Sequence, residues 1–126
     1  MTCLLDTHFL IWILGQSQRL KRYPWLRNYQ PWGISPVSLF ELQILAETGR
    51  IKLTPNLVDT IATDARFVID EIPTMTLVRK ALDLGWTKDP FDRLIAAHSL
   101  ARRIPLCSVD SHIVENHPLI IRNLQA

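Results

Sequence analysis

The sequence predicts an α/β protein, a three-layer sandwich with a mostly parallel central sheet. Short apolar runs alternate along the chain with helix-start signals, an alternation typical of strand–helix–strand units. Two of these runs, residues 2–5 and 106–109, are each followed at once by an aspartate, Asp6 and Asp110. In open α/β sheets ligands bind beyond the carboxyl ends of the strands, so the two acids indicate a functional edge of the sheet.

Each element is predicted from its start and stop signals. A proline directly after Ser35, Thr54 or Asp89 marks a helix start, and glycines or prolines mark the ends. The predicted helices cover, in order, residues 7–14, 36–48, 54–66, 74–85 and 90–103. The predicted strands cover residues 2–5, 32–34, 67–69, 106–109 and 119–121. The basic stretch 17–28 is interrupted by Pro24 and therefore predicts two short helices or a kinked one.

Length and composition predict one soluble domain spanning residues 1–126. The chain is 48% hydrophobic, enough for a core, and its net charge of +2 neither requires nor opposes nucleic acid. Cys3 and Cys107 lie in predicted buried strands with no secretory segment before them, so we expect reduced thiols. The apolar run 9–14 is too short to span a bilayer. We therefore expect a cytoplasmic protein without membrane contact.

Two further acids, Glu41 and Asp92, join Asp6 and Asp110 as candidate site residues. Asp6 and Asp110 could equally cap the helices that follow them. Glu41 would complete a capping box with Ser38, but the start signal at Ser35 places Glu41 nearly two turns inside its helix, among apolar neighbours. A carboxylate in such surroundings is costly unless it is paired or binds a metal.

Asp92 heads the apolar stripe of its predicted helix, which begins with Asp89 as the N-cap. Position N3 suits a carboxylate because of the helix dipole, so a purely structural role is possible. The stripe formed by Ile95, Ala96 and Ser99 should face the sheet. An acid at the head of that stripe points towards the strand ends, which favours a site residue.

Four carboxylates at one edge of a sheet predict a divalent cation. At ~4 Å two carboxylates repel by about 1 kcal/mol in water and about 4 at an effective dielectric of 20. The four histidines and two cysteines show no zinc-site spacing, and oxygen ligands suit Mg²⁺ or Mn²⁺. Such a site suits metal-assisted phosphoryl chemistry. Arg93 and the basic cluster from Arg19 to Arg27 could attract a phosphate, although a solvated surface role is the alternative for any one of these residues.

Four segments resemble PIN domains, and especially the toxin ribonucleases of type II toxin–antitoxin modules, the VapC type. They are Leu-Leu-Asp-Thr-His at 4–8, Ser-Leu-Phe-Glu at 38–41, Asp-Pro-Phe-Asp-Arg-Leu-Ile-Ala-Ala at 89–97 and Ser-Val-Asp at 108–110. Their order and spacing match over nearly the whole chain, and the segment at 89–97 is the most specific. One departure is Ile113, where the family commonly has an aromatic residue.

The resemblance implies a Mg²⁺- or Mn²⁺-dependent endoribonuclease that cuts RNA to leave 5′-phosphate and 3′-hydroxyl ends. The family's metal-binding and catalytic quartet maps onto Asp6, Glu41, Asp92 and Asp110. In this assignment Asp110 either completes the metal shell or helps to activate the attacking water. Thr7 and Ser108 match small hydroxyl positions that orient the acids, and the resemblance further implies a homodimer that a cognate antitoxin holds inactive.

The alternative is a non-catalytic PIN-like module that binds RNA or a protein. The four acids argue against it, since an RNA binder gains nothing by repelling phosphate. Phosphatases of the haloacid-dehalogenase type also place an aspartate after a strand. They need a second one two residues later, where this chain has His8.

Overall fold

A four-stranded parallel sheet forms the centre of the protein in the computed structural model, which describes residues 1–121. The strands are β1 (Leu4–Leu5), β2 (Trp32–Ile34), β3 (Phe67–Ile69) and β4 (Leu106–Cys107). They lie in the order β3-β2-β1-β4, and each neighbouring pair is parallel. Leu4 is in register with both Gly33 and Leu106, so β1 is a central strand. The predicted parallel α/β fold is confirmed.

Helices connect the strands over the described part of the chain. Two 3-10 helices, at Gln18–Arg22 and Pro24–Tyr29, confirm the prediction for the stretch broken by Pro24. The α-helices are α1 (Thr7–Leu14), α2 (Pro36–Glu47), α3 (Leu57–Ala62), α4 (Thr74–Ala81), α5 (Pro90–Arg102) and α6 (Ser111–Asn116). Ser35 and Asp89 cap α2 and α5 as predicted, and Gly49 adopts a φ of 78° after α2.

The predicted helix at 54–66 is wrong at both ends. It begins only at Leu57, because Asn56 before it has a left-handed backbone (φ 58°) that the helix cannot include. It ends at Ala62, because the Asp64 carboxylate accepts hydrogen bonds from the backbone and side chain of Arg66 and forms a turn into β3.

The helix predicted for 74–85 was too long by four residues. It ends at Ala81, where the Arg93 side chain donates to the carbonyl oxygens of Ala81 and Leu82 and so satisfies the helix end from outside. The strand predicted at 119–121 is reduced to one parallel bridge between Ile120 and Leu106. The strands predicted at 2–5 and 106–109 are also shorter, with two residues each in β1 and β4.

The sheet is covered on both faces, which makes three layers. Leu5 belongs to a buried cluster with Phe9 and Leu10 of α1 and Leu42 of α2. Leu4, its neighbour, belongs instead to a cluster with Ile95 of α5 and Ile113 of α6. Successive strand side chains point to opposite faces, so β1 must be apolar at both positions.

Two contacts set the positions of the site-bearing elements. Asp70, after β3, accepts hydrogen bonds from Arg102 (2.7 Å) and lies 2.7 Å from the His98 ring nitrogen, which ties α5 to the sheet. A Cβ added to Gly33 would lie 2.8 Å from the Cys3 carbonyl oxygen and 2.6 Å from the Met1 sulfur, so only glycine fits between the two strands.

Within residues 1–121 no helix has the length and apolar character needed to cross a membrane.

Candidate active site

Asp6 and Asp110 occupy matching places after the two adjacent strands β1 and β4. Asp6 is 4% exposed, and its Oδ1 accepts the Phe9 N–H at 2.9 Å as the N-cap of α1. Asp110 caps α6 in the same way through the Ile113 N–H at 3.1 Å. The capping role considered for both residues is therefore real, and it holds each carboxylate in place at the carboxyl edge of the sheet.

Ser108 connects these two acids. Its side chain lies near the Asp6 carboxylate and lowers the pKa of that acid, and its hydroxyl oxygen accepts the backbone N–H of Asp110 at 3.2 Å. Ser108 is itself buried. A small hydroxyl residue at this position thus lies near the first acid and shapes the loop that carries the last one.

Glu41 reaches the same edge from α2. Its Oε1 accepts a hydrogen bond from the hydroxyl of Thr7, the buried residue that follows Asp6. The carboxylate is half-buried, and this burial raises its pKa, while the Thr7 hydrogen bond lowers it. Since Ser35 caps α2, the alternative of a capping box at Ser38 does not describe the helix start.

Asp92 lies at the third position of α5, after the N-cap Asp89. The Asp89 carboxylate accepts the N–H groups of Phe91 at 2.9 Å and of Asp92 at 3.1 Å, so Asp89 has the structural role expected for it. The Asp92 side chain is not the N-cap of α5, since Asp89 has that role. Ile95, one turn later, is fully buried against the sheet.

The acids influence one another electrostatically, which shows that they converge. Burial raises the pKa of Asp92 from its usual 3.8 to about 6, and the charges of neighbouring acids add to the rise. Those neighbours are Asp89, Glu41, Asp110 and Asp6. Burial likewise raises the pKa of Asp6 to about 6, with a smaller contribution from Asp110. The structure thus brings all four predicted acids to one edge of the sheet.

The sequence model of the PIN domain matches residues 3–116 of this chain. The chain belongs to the PIN-domain family. PIN domains are generally nucleases, enzymes that hydrolyse phosphodiester bonds. The match includes all four acids of the candidate site.

Solved structures with the same fold include two of similar size. A toxin–antitoxin complex from Klebsiella pneumoniae contains a chain with a TM-score of 0.63 and 18% identity, covering 95% of this chain and 96% of that one. A protein from Pyrobaculum aerophilum has a TM-score of 0.57 and 16% identity, covering 96% of this PIN domain and 88% of that chain. No curated protein sequence matches this one.

The donor set of this PIN domain fits a hard divalent cation in kind. All four acids offer oxygen ligands, and burial, together with neighbouring acids, raises the pKa of Asp6 and of Asp92 to about 6, a rise that a bound cation would oppose. As positioned in residues 1–121, no three Asp, Glu, His or Cys side chains are already arranged to enclose an ion. The carboxylates would therefore have to shift by rotamer changes to bind one together.

Two residues near the acids were not chosen from the sequence. The charge of His8 lowers the pKa of both Asp6 and Glu41, so the ring of this exposed residue lies near both. Ser38, fully buried three residues before Glu41, has a hydroxyl oxygen with no hydrogen-bond partner. His8 could have been found from its position after Asp6 and Thr7, whereas nothing in the sequence distinguishes Ser38 from a core serine.

Arg93 has a structural task in this PIN domain. Its guanidinium donates to the carbonyl oxygens of Ala81 at 2.8 Å, Leu82 at 3.3 Å and Thr87 at 3.5 Å. These bonds hold the end of α4 against α5. Contact between Arg93 and RNA stays a prediction, and it would have to compete with these three acceptors.

Proposed function

We propose that this PIN domain is a Mg²⁺- or Mn²⁺-dependent endoribonuclease that acts as a growth-inhibiting toxin and is neutralised by a cognate antitoxin. The observation that carries the catalytic part is the convergence of the four acids: Asp6 and Asp110 follow adjacent strands, Glu41 is hydrogen-bonded to Thr7 beside Asp6, and the charges of all three act on Asp92. Four acids that repel one another at a ligand-binding edge are costly for a fold to keep. The cost is explained if the four acids bind a cation, which in turn binds the phosphodiester of the substrate.

In this proposal Asp6, Glu41 and Asp92 hold the cation, and Asp110 either completes its shell or helps to activate water. A divalent ion bound there supplies Lewis-acid chemistry by neutralising phosphate charge and lowering the pKa of water. Thr7 holds the carboxylate of Glu41 by a hydrogen bond, and Ser108 lies near the carboxylate of Asp6 and lowers its pKa. The helix N-caps formed by Asp6 and Asp110 restrain the same two acids from the backbone side.

The toxin assignment rests on size and fold. The neighbour from Klebsiella pneumoniae is part of a toxin–antitoxin complex, and the two chains align over almost their whole lengths. This PIN domain would then have an antitoxin as its protein partner and RNA as its substrate. A homodimer in the cytoplasm, as implied by the family resemblance, belongs to the same proposal.

The test is cleavage of a structured RNA pool by the purified chain, in Mn²⁺ and in EDTA. Asp92→Asn is the test variant, and Asp83→Asn, at an exposed position after α4, is the matched control. We expect Mn²⁺-dependent cutting by the wild type and the control and none by Asp92→Asn. Cutting in EDTA, or cutting by Asp92→Asn at the wild-type rate, would refute the proposed mechanism.

A thermal unfolding series in Mn²⁺ tests metal binding without RNA. The cation should raise the unfolding midpoint of the wild type, and Asp92→Asn should lose most of that rise. If Mn²⁺ leaves the wild-type midpoint unchanged and no RNA is cut, the non-catalytic binding module is the better description.

A further inference from the structure

A cavity of about 360 Å³ adjoins the acid site and has no role in the mechanism above. Tyr23 and Trp25 form its aromatic wall, Ser108 and Ser111 contribute hydroxyl groups, and Val114 of α6 lines it as well. Its volume falls within the roughly 300–1,000 Å³ typical of ligand pockets. We call it the aromatic cavity.

The aromatic cavity is linked to the candidate catalytic acids by shared residues. Ser108, which lines it, accepts the backbone N–H of Asp110 at 3.2 Å and lies near the carboxylate of Asp6. Ser108 and Ser111 lie on either side of Asp110 in the chain, two residues before it and one after. A group held in the aromatic cavity would therefore lie next to a phosphodiester bound at the acids.

The aromatic wall is held rigidly by further rings. Tyr23 lies parallel to Trp12, with an interplanar angle of 4° and 6.2 Å between centroids, and meets the edge of Phe9 at 5.1 Å. Trp25 packs against Tyr23 at 5.8 Å and 72°. A preformed wall loses little conformational entropy when a ligand binds.

Exposed basic residues flank this wall along the chain. Lys21 and Arg22 directly precede Tyr23, and Arg27 follows two residues after Trp25. Phosphates of an RNA chain that runs past the acidic site would suit these three cations. Aromatic surface interleaved with basic residues is the pattern of proteins that bind single-stranded nucleic acid.

We propose that the aromatic cavity binds an unpaired nucleobase of the RNA, one that neighbours the phosphodiester at the acid site. Unstacked bases are recognised by stacking on aromatic side chains and by hydrogen bonds along their edges. Tyr23 and Trp25 supply the stacking surface, and the hydroxyls of Ser108 and Ser111 supply the hydrogen bonds. The inference rests on the proposed function and adds a preference to it: cleavage occurs in loops, with a base preference at a fixed position from the cut.

Val114→Phe tests this inference by filling the aromatic cavity from α6. Val58→Phe is the matched control, since Val58 is 52% exposed on α3 and does not line the cavity. The four nucleoside 5′-monophosphates are titrated separately into each protein, and the indole N–H signal of Trp25 is followed by NMR. Each protein also cuts the RNA pool in Mn²⁺, and the cut sites are sequenced.

We expect a nucleotide to shift the Trp25 signal in the wild type and in Val58→Phe, but not in Val114→Phe. Base–aromatic stacking is worth enough that Val114→Phe should cut about 5- to 100-fold more slowly and lose the base preference. If Val114→Phe is not folded by its NMR spectrum, Ser111→Phe closes the cavity from an exposed position instead.

The outcomes separate this inference from the proposed function. If all the proteins cut RNA at the same sites and rates, the nuclease proposal holds but the aromatic cavity does not bind a base. The cavity would then be a binding site for a side chain of a protein partner. If no protein cuts RNA but nucleotides shift Trp25 only where the cavity is open, the base site stands and the nuclease does not. If no nucleotide shifts Trp25 in the wild type, the inference is overturned.

Discussion

Replacing the acid Asp92 by Asn should stabilise the cation-free protein while it removes activity. A rise in the pKa of Asp92 from 3.8 to about 6 corresponds to ~3 kcal/mol of charge penalty, at about 1.4 kcal/mol per pH unit. Asp92 is only half-buried, so solvent screening reduces this to about 1–2 kcal/mol. Asp92→Asn also loses the favourable interaction of the carboxylate with the helix dipole, which lowers the stability of the variant by about 0.3–1 kcal/mol. The net expectation is a gain of about 1 kcal/mol near neutral pH.

The gain should depend on pH in a defined direction. The unfolded carboxyl loses its proton near pH 4, whereas the folded one keeps it up to about pH 6. The penalty is therefore absent below about pH 4, grows as the pH rises through this window and is complete above about 6. Asp92→Asn, which carries no charge, should match the wild type in acid and exceed it near pH 7.5.

Urea unfolding in EDTA, near pH 7.5 and near pH 4.5, measures both quantities. The exposed-site variant Asp83→Asn serves as the control and should track the wild type at both pH values. The reasoning is refuted if Asp92→Asn is less stable than the wild type near pH 7.5, or if its advantage is the same in acid. Either result would mean that the charge of Asp92 is already compensated within the fold.

Three other predictions concern stability. Gly33→Ala should lower the free energy of unfolding by about 1–3 kcal/mol, because the new methyl group overlaps the Cys3 carbonyl oxygen. Gly85→Ala is the control, since Gly85 has open space around it and the substitution should not lower stability. Equal urea midpoints for the two variants would contradict this prediction. Arg93→Ala should lower the free energy of unfolding by about 1–3 kcal/mol, since the backbone carbonyl oxygens of α4 lose their donor. The control Arg79→Ala, at an exposed position, should lower it by under about 0.5 kcal/mol. If Arg93→Ala keeps full stability but binds RNA more weakly, an RNA contact is supported instead. Burial lowers the pKa of His117 to about 4, so the folded protein holds this ring uncharged. The stability that the uncharged ring contributes is complete above about pH 6.5 and is lost as the pH falls towards 4. An NMR titration midpoint of His117 near 6.5 would contradict this prediction, because it would show that the ring is solvated.

Local signals in the sequence predicted most of the fold. Ser35 followed by Pro36, Asp89 followed by Pro90, and Gly15 after α1 each act through backbone geometry and hydrogen bonds within a few residues. For that reason the starts of α2 and α5 and the end of α1 agree with the prediction. Apolar runs flanked by such signals also predicted all four strands of the parallel sheet.

The errors lie at boundaries that the local start and stop signals do not determine. The end of α4 depends on Arg93, which lies twelve residues beyond Ala81, and its side chain replaces the missing helix bonds. The start of α3 depends on the left-handed Asn56, a conformation that the Thr54-Pro55 signal does not reveal. The first boundary depends on a tertiary contact and the second on a backbone conformation, and neither is contained in the helix-start pattern.

The sequence by itself determined which side chains stand at the carboxyl ends of β1 and β4, because an acid that follows a strand must lie at the edge where the strand ends. It also determined that Asp92 is the third residue of α5. Only the tertiary structure decided that Thr7 holds Glu41, that Ser108 lies near Asp6, and that Tyr23 and Trp25 line a cavity beside Ser108. Each of these contacts joins segments far apart in the chain or turns a loop in a particular direction. They form only when the sheet and helices pack, so their geometry and their effects on pKa values cannot be obtained from the order of residues alone.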